Sequence, residues 1–69
     1  MREVLFYILD KKENKFIIVS EESEHGYKGV SVDNLLDHRE VYIAKTFIEN
    51  NIDRYDFSLE EPVLIPAIF

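Results

Sequence analysis

The strand-like segments of this chain are apolar at consecutive positions rather than at alternate ones, and this limits the possible folds more than any other feature. Val4 to Leu9, Phe16 to Val19 and Val63 to Phe69 contain no charged residue. Side chains of a strand point alternately to its two faces, so a sheet with one wet face alternates apolar with polar. Here Val4, Phe6 and Ile8 would share one face and Leu5, Tyr7 and Leu9 the other, while Phe16 and Ile18 oppose Ile17 and Val19. In the C-terminal run Val63, Ile65, Ala67 and Phe69 oppose Leu64, Pro66 and Ile68. Both faces of such a sheet need cover.

The chain has 69 residues and no cysteine. A single core of this size rarely supplies more than about 3–5 kcal/mol without a disulfide, a metal or an oligomer interface. With no thiol available, packing and association remain. One small domain over residues 1–69 is expected. "REVLFYILDKKENKFIIVSEE" reads as a hairpin, with strands Glu3 to Leu9 and Lys15 to Ser20 around a polar turn. Glu21 to Gly26 is an exposed loop, and Tyr27 to Val32 can add a short third strand. "GYKGV" lacks the spacing of a phosphate-binding glycine loop and reads as a turn or bulge.

"SVDNLLDHREVYIAKTFIENN" reads as helix. Ser31 or Asp33 can cap a first turn, Asp37 and Glu40 have capping-box spacing, and Val41, Ala44, Ile48 and Ile52 form a stripe at helical spacing. A strand over "VYIAKTFI" competes, because the stretch is rich in β-branched residues. Asp53 to Glu61 reads as a loop with Tyr55 and Phe57 folded back on the core, and Pro62 to Phe69 as a strand. The expected class is α+β: a small antiparallel sheet, made of the N-terminal hairpin plus the C-terminal strand, with one face covered by a helix from about residue 33 to 51.

One helix covers one face only, and the chain is too short to build a second layer. The surplus apolar surface points to association, most simply a two-fold homodimer, with Val63, Ile65, Ile68, Phe69, Leu5 and Tyr7 as interface candidates. Pro66 lacks an amide proton, which suits a sheet edge.

No residue constellation marks catalytic, cofactor or metal chemistry. His25 and His38 are thirteen positions apart, without the spacing of a metal-binding pair. Asp37 beside His38 diverges from it on a helix, so no oriented base is built. The formal net charge of −6 opposes direct contact with nucleic acid or an anionic membrane. No stretch approaches the roughly 20 apolar residues of a membrane span, and Val4 to Leu9 is too short for a signal-peptide core, so a cytoplasmic location is expected.

The expected function is a non-enzymatic protein–protein interaction module that, as a homodimer, binds or inhibits another protein. An alternative uses the acidic surface, Glu21, Glu22, Glu24, Asp53, Asp56, Glu60 and Glu61, as a mimic of DNA phosphates that blocks a nucleic-acid-binding protein.

Overall fold

A computed structural model describes residues 3–65. The architecture is α+β, as the sequence indicates, but the sheet is larger than a hairpin plus one strand. It has five strands, all antiparallel, in the order β4-β3-β2-β1-β5. β1 (Phe6–Asp10), β2 (Lys15–Glu22), β3 (Gly26–Asp33) and β4 (His38–Ala44) form a meander in which each strand pairs with the next. The chain then crosses the sheet through helix α1 (Lys45–Asn50) and a 3-10 turn, Ile52–Arg54. Beyond the crossing, β5 (Tyr55–Ser58) pairs with β1 on the far edge.

The expected helix over 33–51 is corrected by this order. His38–Ala44 is a strand, and only Lys45–Asn50 is α-helical. The residues that suggested helix caps serve a hairpin turn instead: Asp33 Oδ1 accepts the amides of Leu35 and Asp37, at 2.9 and 3.0 Å. Asp37 pairs with Arg39 at 3.2 Å rather than accepting the residue-40 amide as the first member of a capping box would. With the turn fixed, seven residues of β4 align with β3 from Val32↔His38 to Gly26↔Ala44. β-branched Val41 and Ile43 and aromatic Tyr42 suit that pleated surface.

The C-terminal strand is also corrected. Residues 62–65 are not in a strand. Ala67, Ile68, Phe69 and Pro66 lie outside the described residues. The fifth strand is supplied by Tyr55–Ser58, inside the segment that reads as a loop.

The main core lies on the helix face. Cross-strand partners share a face, so Ile8↔Ile17, Phe6↔Val19, Tyr27↔Ile43 and Asp10↔Tyr55 place these side chains together. Ile8, Ile17, Val19, Ile48 and Tyr55 form the buried cluster, with Phe6, Tyr27, Val41 and Ile43 packed around it. Ile48 is the one buried residue of α1. A six-residue helix with no side-chain cap has little stability of its own, so this packing holds it. Two polar contacts fix its start: the Lys45 amide donates to the His25 carbonyl at 2.9 Å, and Lys45 Nζ meets Glu22 at 2.9 Å. Phe57 is 46% exposed, yet its ring stacks on Phe6 at 5.6 Å and meets Tyr27 edge-on at 5.9 Å.

The end of the crossing is fastened by a partly buried ion pair. Arg54 Nε and Nη2 donate to the two carboxylate oxygens of Asp10 at 2.8 and 2.7 Å, and the Arg54 carbonyl accepts the Lys11 amide at 2.9 Å. Asp10 Oδ1 also accepts the amides of Lys12 and Glu13 in the β1–β2 turn. One side chain thus sets both the first turn and the entry to the last strand. Among the described residues no helix is long and apolar enough to cross a membrane.

Candidate interaction surface

The face opposite α1 is built from the other residues of each strand. Tyr7↔Ile18, Leu9↔Phe16, Phe16↔Val32 and Val32↔His38 are cross-strand partners, so these side chains project together. Tyr7 and Phe16 meet edge-on at 6.1 Å. Leu5 continues the pairing by donating its amide to the Val19 carbonyl at 2.8 Å, and strand alternation puts its side chain beside Tyr7.

Residues 62–65 lie along this face as an extended tail. They are held by a side chain rather than a ladder: Asn14 Nδ2 donates to the Ile65 carbonyl at 2.8 Å, and the Ile65 amide donates to Asn14 Oδ1 at 3.0 Å. An amide side chain carries a donor nitrogen and an acceptor oxygen side by side, so it reproduces the hydrogen-bond pair that a strand residue gives its neighbour. Asn14 is placed for this by a left-handed backbone, φ 50°, which asparagine tolerates at the end of the β1–β2 turn. Under the tail, Phe16 and Val32 are buried, and Pro62 and Leu64 are half-buried.

This cover is partial. A groove of about 400 Å³ separates the tail from the β3–β4 turn, with Phe16, Ile18, Val32, Leu36, His38 and Leu64 in its walls. Two of its lining residues are apolar and wet, Ile65 at 71% exposed and Leu36 at 73%, and nearby in the chain Val63 and Leu35 are 92% and 71% exposed. Leu36 has φ 63°, a conformation that costs a residue with a Cβ about 1 kcal/mol or more. The turn thus holds two leucines in water, one on a strained backbone, where glycine or asparagine would sit more easily.

The sequence candidates map onto this surface unevenly. Leu5 and Tyr7 belong to this sheet face, Ile65 and the exposed Val63 to the tail beside it, whereas Ile68 and Phe69 fall outside the described residues. Sequence reasoning missed Leu35 and Leu36, which fall inside the helix it expected over residues 33–51. The adjacent leucines inside a polar stretch, "DNLLDHRE", are the signal that points to them.

The acidic candidates are all exposed but do not make one face. Glu24 sits in the β2–β3 turn, while Asp53 precedes Tyr55, which pairs with Asp10 at the opposite end of the sheet. Glu22 is paired with Lys45 and Asp56 with Lys11, at 2.9 and 3.6 Å, and Glu61 lines the groove. The glutamate beside Lys45 holds the lysine's pKa above its ordinary value. His25 is exposed in the β2–β3 turn and His38 opens β4 at the groove wall. Among the described residues no three histidine or carboxylate side chains converge as a metal site would require.

No family model matches the sequence, and neither a curated protein nor a solved structure matches it at a significant level.

Proposed function

We propose that this chain is a non-enzymatic protein-binding module that acts as a homodimer, and that the tail and the β3–β4 turn form the contact between copies. The observation that carries this reading is the apolar groove walled by Phe16, Ile18, Val32 and Leu64, with Leu36 and Ile65, both more than 70% exposed, on its two sides. Contiguous apolar surface of this kind marks interaction sites on small proteins. In a two-fold interface the same patch meets itself, so one groove and one rim suffice for both copies. The partner bound or inhibited by the dimer is proposed to be a protein, since a net charge of −6 repels phosphate backbones. The scattered and partly paired acids give the DNA-mimic reading less support, because a mimic needs a continuous negative face. The cytoplasm is the proposed location, since a chain without cysteine gains nothing from an oxidising compartment.

The test is molar mass by size-exclusion chromatography with light scattering across a dilution series. The parent chain should run at twice 8.2 kDa, and a variant with Leu36→Ser and Ile65→Ser at 8.2 kDa with an unchanged far-ultraviolet circular dichroism spectrum. Asn14→Gly keeps the left-handed turn but removes the tail clamp, and should weaken the dimer without unfolding the sheet. A parent chain that stays at 8.2 kDa at millimolar concentration would refute self-association.

A further inference from the structure

The helix face carries a second concavity, separate from the groove. It is a cleft of about 490 Å³ between β4, α1 and the 3-10 turn, within the size range of small-ligand sites. Ile17, Val41, Ile43, Ala44, Phe47 and Tyr55 supply an apolar floor and sides. At one end stand Lys15, Ser31 and the Asp10–Arg54 pair.

The charges at that end are unequally engaged. Asp10 is neutralised by Arg54, which uses Nε and Nη2 for the purpose. Asp37 is paired with Arg39. Asp33, the cross-strand partner of Lys15, uses its Oδ1 to accept the amides of Leu35 and Asp37 and makes no ion pair with the lysine. Glu13 approaches Arg54 from the β1–β2 turn at 4.0 Å. Lys15, half-buried, makes no ion pair among the described residues. Ser31 is 8% exposed, and its hydroxyl has no hydrogen-bond partner among them. No side-chain oxygen or nitrogen of the described residues is sealed off without a partner, so the Ser31 hydroxyl is open to solvent where Lys15 and Ser31 line both this cleft and a shallower hollow shared with Asp33, Asp37 and Arg39. An ammonium and a hydroxyl without partners, at the head of an apolar cleft in an otherwise acidic chain, match one ligand chemistry.

We infer that this cleft binds a small amphipathic carboxylate, its head group on Lys15 and Ser31 and its hydrocarbon body against Val41, Ile43 and Phe47. The carboxylate accepts hydrogen bonds from both head residues, and charge-assisted bonds of this kind are the stronger ones. Arg54, stacked over the Tyr55 ring at 5.2 Å and the Phe47 ring at 5.9 Å, adds positive potential while remaining bound to Asp10. The site is independent of the dimer contact, because the two lie on opposite faces of the sheet.

Octanoate is the probe, with octanol and octylammonium as controls of equal length, titrated into the nitrogen-15-labelled full chain and followed by amide chemical shifts. Octanoate should saturate and move the amides of Ser31, Ile43, Phe47 and Arg54, octanol should bind more weakly, and octylammonium should not bind there. Lys15→Gln should weaken octanoate about tenfold or more, the loss expected of one charge-assisted hydrogen bond, while leaving the spectrum of the free protein otherwise in place. Ser31→Ala should weaken it less. The inference fails if octylammonium or octanol binds as well as octanoate, if Lys15→Gln leaves its affinity unchanged, if the shifts map to Ile18 and Leu36 on the other face, or if no saturable binding occurs.

Discussion

Asp10 keeps its negative charge although only 2% of its surface meets water. Burial by itself raises a carboxyl pKa, but the hydrogen bonds from Arg54 and from the Glu13 and Lys12 amides outweigh it and hold Asp10 below its ordinary 3.8. The Arg54 guanidinium is correspondingly held protonated by Asp10, and burial together with the same carboxylate raises the Tyr55 phenol. A carboxyl whose pKa is lower folded than unfolded stabilises the fold above the unfolded value and loses that contribution as pH falls through the folded one. The urea midpoint should therefore hold steady through neutral pH, as far as this group decides it, and fall below about pH 4. Asp10→Asn should lose about 2–3 kcal/mol at pH 7, since it leaves Arg54 facing a neutral amide in a half-buried site. It should also show a shallower acid limb in urea titrations. An Asp10→Asn protein as acid-sensitive as its parent would assign the limb to other carboxylates.

Among the elements, β2 and β3 are the most tightly fitted. Their register shifts between Val19 and Glu21, and opposite this irregularity Gly29 lies so close that an added Cβ would strike the Ile18 carbonyl and come within 3.0 Å of Val19 Cα. Gly29→Ala should cost about 2–3 kcal/mol through overpacking against backbone that cannot yield. A thermal or urea midpoint unchanged by that substitution would mean the bulge rearranges freely. The "GYKGV" motif is neither turn nor bulge but part of β3, its Gly29 facing an irregularity that falls in β2 between Val19 and Glu21, whereas the β1–β2 hairpin was legible from Phe6 to Val19. β4 was not. Val41, Ile43 and Ala44 satisfy helical and strand spacing alike, and Asp33 and Asp37 are as suited to a hairpin turn as to a helix cap, so pairing with β3 decided between two locally acceptable states. β5 was visible only as the alternation of Tyr55 and Phe57 with Asp56 and Ser58, short enough to pass for a loop. The tail's place could not be read at all, because it depends on one amide side chain 51 positions away. For the same reason the apolar groove had no signature beyond its two leucines.

At the scale of the whole molecule, the crossing from β4 to β5 decides what each face can do. It spans four inter-strand spacings, about 19 Å, with residues 45–54, and so lays α1 over the core face while the other face is left to the tail. One face thereby gains a cleft beneath a helix and the other an open groove. The crossing also separates the strands in time. β1 to β4 meet through short hairpins, whereas β5 meets β1 only by bringing Ser58 to Tyr7, and closing a long loop is slow because its entropy is lost before its contacts form. In stopped-flow folding, Ile17→Val in β2 should chiefly slow folding, and Phe57→Leu in β5 should chiefly speed unfolding. Equal slowing of folding by both would mean that the far edge is set with the rest. On the predicted order, an unpaired β1 edge exists briefly in every folding event, and the last strand to arrive is the one that ends its exposure to other chains.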